Sequence, residues 1–130
     1  MRDYGKVSAH TWIDYKGRVW PVITCTNRLK FKYPAHAALR DHVFNRDGFK
    51  CQRCSARAIT VPDGWAGECA LMTDTRVSSG YPDILILDHM LTLRAGGLSV
   101  IANLQTLCET CNKKKTKEDV AAAIAYRECV

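Results

Sequence analysis

The sequence predicts one α+β domain, and three observations lead to this prediction. Aromatic and β-branched residues on both sides of Lys16-Gly17, within residues 10–24, are typical of a β-hairpin that turns at a glycine. Apolar residues at helical spacing in residues 35–46 predict a helix. Two Cys-x-x-Cys pairs, at positions 51/54 and 108/111, suit one metal ion that joins distant parts of the chain.

The chain divides into five predicted segments. They are a β-rich N-terminal extension (1–35), a helix with the first cysteine pair (36–56), an irregular insertion (57–83), a motif-bearing segment (84–116) and a closing helix (117–130). Scattered Pro, Gly, Ser and Asp favour irregular structure in the insertion, with one or two short strands.

Local patterns at two of these boundaries predict further elements. Residues 49–53 read as a short strand that leads into the first cysteine pair. Thr116, with Asp119 three residues later, resembles the capping box that starts a helix. Val120 and Ile124 then recur at helical spacing, which predicts a stripe of the closing helix facing the core.

Composition limits the class of protein. With 130 residues, of which 47% are hydrophobic and 25% charged, the chain can form a modest core and is too apolar for disorder. It has no run of about 20 apolar residues and no signal-peptide core near its start, so we expect a cytoplasmic protein without a membrane span. The net charge of +6 is concentrated in residues 1–50, which hold ten Lys/Arg against four Asp/Glu. Such an excess suits a polyanion such as nucleic acid, although basic residues also solvate ordinary surfaces.

The seven cysteines are an odd number, which argues against a fully paired disulfide framework. In a chain without an export signal, Cys-x-x-Cys turns bind metal more often than they form disulfides, and four thiolates suit tetrahedral zinc. Because four protein ligands leave no position for water, we predict a structural zinc ion on Cys51, Cys54, Cys108 and Cys111. Unliganded core thiols or a redox Cys-x-x-Cys are the alternatives. The remaining cysteines are interpreted as two buried thiols and one exposed thiol, namely Cys25, Cys69 and Cys129.

The stretch from Leu85 to Thr116 carries polar residues in a distinctive order. An apolar run ends in Asp88-His89, and an acid beside a histidine at a strand end is expensive to bury unpaired. A double-glycine loop follows, then Asn103, then the second Cys-x-x-Cys with Asn112 directly after it. Together these residues resemble the signature of the HNH endonucleases, whose fold is the ββα-metal (His-Me) finger.

The resemblance implies both a fold and a reaction. The fold is α+β, with a ββα-metal nuclease core, an N-terminal hairpin and helix, and a four-cysteine zinc site that cross-links them. In that family the histidine, here His89, activates water as a general base. The middle asparagine, here Asn103, orients that histidine by hydrogen-bonding near its backbone. Asp88 and Asn112 stand where the family binds its catalytic metal, and the implied products are DNA ends with 5′-phosphate and 3′-hydroxyl groups, from nicking or double-strand cutting.

Asparagine as the final residue of the signature has a chemical consequence for that metal. Asp88 and Asn112 both offer oxygen, which favours hard ions such as Mg²⁺ or Mn²⁺, while nickel, cobalt and zinc remain open. Basic side chains near the motif are candidate phosphate contacts, because such contacts dominate affinity for DNA. The candidates are Arg94, Lys113, Lys114 and Lys115, and a solvated helix face is the alternative for the lysines.

A small HNH protein of this kind resembles the phage-encoded enzymes and the McrA-like nucleases of bacteria. The resemblance implies DNA as the partner, no membrane, and, for a phage protein, other phage DNA-processing proteins in the host cytoplasm. Three other interpretations stay open from the sequence. They are a non-catalytic, zinc-stabilised DNA-binding module, a redox protein that uses its Cys-x-x-Cys pairs, and a nuclease directed at RNA.

Overall fold

The structure, a computed structural model, describes residues 11–23, 28–59 and 71–129, without the side chains of residues 123 and 125–129. It confirms the α+β class. In chain order the elements are β1 (Thr11–Ile13), β2 (Val19–Pro21), α1 (Pro34–Arg46), β3 (Leu71–Arg76), β4 (Pro82–His89), β5 (Leu104–Cys108) and α2 (Glu109–Cys129). Two 3-10 turns, Leu93–Ala95 and Ile101–Asn103, connect β4 to β5. Among the described residues no helix is long and apolar enough to cross a bilayer.

The predicted N-terminal hairpin is present, with β1 and β2 antiparallel and Trp12 opposite Trp20. Its turn is organised by the fully buried carboxylate of Asp14. One oxygen of that carboxylate accepts hydrogen bonds from the backbone N–H groups of Lys16 and Arg18. The other accepts from the side chains of Arg18 and Trp20, at 2.7 and 2.8 Å. These bonds lower the pKa of Asp14 although burial opposes the shift, so the turn is fixed by an ionised carboxylate as well as by its glycine.

The second sheet has three antiparallel strands in the order β3-β4-β5, so β4 is its central strand. The helix α1 contributes to two hydrophobic clusters. Phe44 packs in one cluster with Leu85 and Leu107, and Leu39 packs in the other with Trp12. The helix α2 follows β5 directly, and β4 is antiparallel to β5. This register puts the start of β4 beside the end of β5. α2 then runs back along β4, so that Asn112 and Lys115 reach Asp88 and His89 at the C-terminal end of β4.

The insertion at 57–83 contains a strand, as predicted, and this strand belongs to the main sheet. β3 spans Leu71–Arg76 and pairs with β4, which itself begins at Pro82. The buried face of β3 includes Thr73, which is 1% exposed and whose hydroxyl lies 3.0 Å from that of Thr75. A buried threonine weakens the apolar alternation by which a strand is predicted from sequence. Residues 60–70, which include Cys69, lie outside the described residues, as do Cys25 and the side chain of Cys129.

The short strand predicted at residues 49–53 is reduced to a single bridge between Lys50 and Arg57. Phe49 adopts a left-handed backbone conformation, with φ at 54°, which interrupts an extended chain. The backbone therefore turns into the first Cys-x-x-Cys instead of continuing as a strand.

The helix start predicted at Thr116 is also wrong, because α2 runs without interruption from Glu109 to Cys129. Thr116 lies inside the helix, and its hydroxyl donates to the carbonyl oxygen of Asn112 at 3.0 Å. A threonine that bonds the carbonyl four residues earlier satisfies its hydroxyl within the helix, so it does not need to act as a cap.

The stripe predicted to face the core from α2 is exposed. Val120 is 54% exposed and Ile124 is 47% exposed. Val120 borders a surface groove of about 560 Å³, which it shares with Met90 and Leu91. Helical periodicity therefore gave the correct element but the wrong surroundings for these side chains.

Candidate active site and metal centre

The four cysteines of the two Cys-x-x-Cys pairs form one cluster. Their sulfur atoms all lie within 4.8 Å of one another, and Cys54 Sγ is 3.6 Å from Cys108 Sγ. A tetrahedron with Zn–S bonds of about 2.3 Å has sulfur atoms about 3.8 Å apart, so the cluster has the size of a zinc site. In each pair the second cysteine's backbone N–H faces the first cysteine's sulfur, as the bonds from Cys54 to Cys51 and from Cys111 to Cys108 show.

Hydrogen bonding prepares this cluster for a metal ion. Burial raises thiol pKa values, but backbone N–H groups near Cys51 outweigh burial and lower its pKa to about 7. Burial raises the pKa of Cys108 and of Cys111. Uptake of an ion must therefore release protons from Cys108 and Cys111. The cluster can hold zinc, as the sequence predicts, and it cross-links the loop after α1 to the junction of β5 and α2.

The end of β4 places Asp88 and His89 beside the start of α2. Asp88 is 7% exposed, and its carboxylate receives hydrogen bonds from two amide side chains. Asn112 Nδ2 donates to Oδ1 at 3.0 Å, and Gln105 Nε2 donates to Oδ2 at 2.9 Å. The ammonium group of Lys115 is 3.5 Å from the same Oδ2 atom. The two oxygens of Asp88 thus have different surroundings, with Asn112 on one side and Gln105 and Lys115 on the other.

The imidazole of His89 is half-buried next to a serine. Its Nε2 atom lies 2.8 Å from the hydroxyl of Ser99, a residue that is 2% exposed. Burial lowers the pKa of His89, the carboxylate of Asp88 raises it, and the ammonium of Lys115 lowers it, with a net lowering. The ring is therefore neutral near pH 7 and can accept a proton.

Asn103 holds together the two ends of the loop that follows His89. Its side-chain oxygen accepts from the backbone N–H of Leu91 at 2.8 Å, and its amide nitrogen donates to the carbonyl oxygens of Leu91 and Leu98, each at 2.9 Å. Its own carbonyl oxygen accepts from the N–H of Met90. The side chain thus bonds the backbone two residues after His89, and its main-chain carbonyl bonds the residue directly after it. The role of Asn103 in orienting His89 stays a prediction.

Gly97 allows this loop to close. An added Cβ at that position would overlap the backbone carbonyl of Leu91 and would lie 2.9 Å from Asn103 Nδ2. The second glycine of the double-glycine loop is therefore required by a close approach of backbone to backbone. Gly96 differs, since it has a left-handed φ of 91° and open space around its Cβ position.

The four candidate phosphate contacts have different surroundings. Arg94 and Lys114 are exposed, and Lys113 is exposed with an ion pair to Glu109 at 2.9 Å. Lys115 departs from the prediction of a surface contact, because it is 8% exposed and its ammonium points inward. That ammonium donates to the carbonyl oxygen of His89 at 3.1 Å and to Asp119 at 2.9 Å. Three carbonyl or carboxylate oxygens nearby explain why this lysine turns away from solvent.

Sequence reasoning missed two residues of the site, Ser99 and Gln105. Gln105 is the cross-strand partner of Asp88 in the β4-β5 register, which could be inferred only after fixing which residues face one another. Ser99 has no periodic signal, since it lies in the irregular loop between the two 3-10 turns. Its position after the double glycine was the available hint that it returns toward the strand end.

Fold and site together define a small α+β domain with a four-cysteine cluster of the size of a zinc site and a carboxylate-histidine pair at the end of its central strand. Residues 69–118 match the family model described as HNH endonuclease. The cysteine cluster fits a zinc-binding variant of the HNH domain that this part of the chain matches. The match covers Asp88, His89, Asn103, Asn112 and the second cysteine pair, while the first pair lies outside it. No curated protein and no solved structure was found to match the chain.

Proposed function

We propose that this protein is a metal-dependent DNA endonuclease, with His89 as the general base and a divalent ion held by Asp88 and Asn112. The observation that carries the proposal is the meeting of a strand end and a helix start, where Asn112 comes within 3.0 Å of Asp88 and His89 is the next residue. Acid, base and amide groups in one place have little use in a core, because each is expensive to desolvate. The HNH match supports the proposal, since the family usually hydrolyses phosphodiester bonds.

Asp88 Oδ1 and the neighbouring Asn112 side chain fit a hard divalent ion. The 3.0 Å between Asp88 Oδ1 and the Asn112 amide is close to the spacing of neighbouring oxygens around Mg²⁺, about 3 Å for bonds of about 2.1 Å. A rotation of the amide exchanges its nitrogen for its oxygen, which is the atom that would bind the ion. The ammonium of Lys115 lies near the other oxygen, Oδ2, and so leaves Oδ1 for the ion. Mg²⁺ or Mn²⁺ held there would supply Lewis-acid stabilisation of the charge that develops on the phosphate and the leaving oxygen.

The protein's own groups carry the proton transfer. His89 takes a proton from the attacking water, for which a neutral ring is required, and burial favours that form. Asn103 contributes by fixing the backbone that follows His89, since its side chain bonds both the N–H and the carbonyl oxygen of Leu91. The exposed Arg94 and Lys114 are the candidates for phosphate contact, and we expect binding to weaken steeply with salt.

The test is the conversion of supercoiled plasmid by wild type and by His89→Ala, with EDTA, Mg²⁺ or Mn²⁺. Wild type is expected to nick or linearise the plasmid only with a divalent ion. The variant should lose about 10²- to 10⁴-fold in rate, the usual contribution of a general base. His36→Ala is the matched control, because His36 lies at the start of α1 and its Nδ1 accepts a bond from Lys30 N–H, away from the site.

The outcomes separate the proposal from its competitor. Unchanged cleavage by His89→Ala, with zinc content and folding equal to wild type, would remove His89 from the mechanism. If wild type binds DNA but fails to cut it with every divalent ion tested, the protein is a zinc-stabilised DNA-binding module. An RNA substrate of equal length, tested in parallel, decides which nucleic acid is the preferred target.

A further inference from the structure

Ser99 presents a buried hydroxyl to the imidazole of His89, and the proposed reaction leaves this hydroxyl without a role. The Ser99 side chain is almost fully buried, and its oxygen is 2.8 Å from Nε2 of the ring. The two residues are ten positions apart, on either side of the double glycine. A contact of this length between a ring nitrogen and a hydroxyl is a hydrogen bond.

This bond determines which nitrogen of His89 is available for chemistry. A neutral imidazole has one N–H group and one lone pair, and the partner of one nitrogen decides where the proton resides. Nε2 faces the buried hydroxyl, so a water molecule that approaches the ring from solvent must meet Nδ1. A general base at Nδ1 needs its lone pair free, which requires the proton on Nε2 and the serine oxygen as acceptor.

The position of Ser99 depends in turn on Asn103. Asn103 Nδ2 donates to the carbonyl oxygen of Leu98, the residue directly before Ser99, and also to that of Leu91, two residues after His89. The amide therefore joins the backbone next to Ser99 to the backbone next to His89. Asn103 therefore acts on the ring by two routes, through the backbone that follows His89 and through the backbone that holds Ser99.

We propose that Ser99 is a positioning residue that accepts the Nε2–H of His89 and keeps the Nδ1 lone pair directed at the attacking water. The inference rests on the proposed function, because it assigns a role in that reaction. It also predicts the tautomer of His89 in the protein without substrate, which can be measured without any cleavage assay. The ring is held as a single tautomer by Ser99, and Ser99 is held by Asn103.

The first measurement is long-range ¹H–¹⁵N NMR of the His89 ring in zinc-loaded protein, without added Mg²⁺ or Mn²⁺, at pH 8. The signals are assigned by their absence in His89→Gln. Wild type is expected to show Nε2 protonated and Nδ1 unprotonated. Ser99→Ala should give a mixture of tautomers, and Ser99→Thr, which keeps the hydroxyl, should restore the wild-type pattern. Ser79→Ala, in an exposed turn, is the matched control and should have no effect.

The second measurement is cleavage kinetics of the same variants. The bond to the ring strengthens when His89 becomes charged during proton transfer, so Ser99→Ala should lower kcat by about 10- to 100-fold with little change in KM. Ser99→Thr should recover most of that loss. Asn103→Ala should lower kcat by a smaller factor once Ser99 is alanine, because part of its effect passes through the bond between Ser99 and the ring.

Several results would overturn the inference. A wild-type ring that is protonated on Nδ1 would overturn the inference. This test uses wild type alone, so it remains valid even if Ser99→Ala fails to fold. If a folded Ser99→Ala protein keeps the wild-type tautomer, Ser99 only packs against the ring and does not position it. Absence of cleavage by wild type would instead count against the proposed nuclease, while the tautomer data would still report whether Ser99 positions the ring.

Discussion

Replacement of Gly97 by alanine tests how the site loop is held. The new methyl group would overlap the carbonyl group of Leu91, so the chain around residue 97 must move away from residue 91. Asn103 joins these two parts of the loop, with two bonds to Leu91 and one to Leu98. Each bond contributes about 1 kcal/mol net, so a loop that separates loses about 3 kcal/mol of the free energy of unfolding.

Gly96→Ala is the matched comparison, because Gly96 has room for a Cβ but a backbone conformation that alanine disfavours. Gly96 has open space around its Cβ position and a left-handed backbone. Its replacement should cost about 1 kcal/mol, which is the strain of alanine in that conformation. The two variants therefore separate a steric requirement from a conformational one within a single dipeptide.

The assay is urea-induced unfolding with zinc present, followed by far-UV circular dichroism. The expected order of stability is wild type, then Gly96→Ala, then Gly97→Ala. In a double-mutant cycle, Asn103→Ala should lose less stability when residue 97 is already alanine, since the bonds are then broken. If Gly97→Ala is at least as stable as Gly96→Ala, or if the two changes are additive, the account of how Asn103 closes the loop is refuted.

Three further predictions concern other parts of the molecule. Gln105→Leu removes the 2.9 Å bond to Asp88, and should weaken Mn²⁺ binding about 10- to 100-fold, measured by calorimetry; equal affinity would contradict the assigned contact. Cys54→Ser should reduce zinc content below one ion per chain and remove the visible absorption of a Co²⁺-substituted site, and full occupancy would argue against the four-cysteine site. Asp41 is 5% exposed, burial raises its pKa to about 6, and Oδ1 has no hydrogen-bond partner among the described residues. Its charged form is therefore disfavoured in the folded protein, and stability is lost as the pH rises from about 4 through about 6. In urea unfolding at pH 8, Asp41→Asn should be more stable than wild type by up to about 3 kcal/mol. The difference should shrink toward pH 4, and a difference that does not depend on pH would contradict this account.

The parts of the site that depend on short spacing could be predicted from the sequence. A Cys-x-x-Cys turn brings two sulfurs together through local geometry alone, so both pairs were predictable before it was known that they meet. Asp88 and His89 were recognisable for a similar reason, since two ionisable residues directly after an apolar run have few structural roles.

The missed features all depend on contacts between distant residues. Gln105 faces Asp88 only because of the strand register, which the loop of two 3-10 turns sets. Lys115 was placed on the surface because lysine is seldom buried, but three oxygens from other residues surround its ammonium. A short strand was predicted in the insertion, but its position could not be, because the buried Thr73 interrupts the apolar alternation and its hydroxyl has a partner inside the fold. In each case a polar group is satisfied by a residue whose proximity the sequence does not reveal.

The wide separation of the two cysteine pairs also sets an order of assembly during synthesis. Between Cys54 and Cys108 lie 53 residues, which a ribosome adds in roughly 3 to 10 seconds at about 5–20 residues per second. During that interval the first pair has only two of the four thiols that the cluster needs, and Asp88 and His89 are made before Asn112. Under the proposed function, the growing chain carries His89, the base, before it carries the complete site. This order would protect the cell, because DNA cutting would require the second cysteine pair and Asn112 to have been made first.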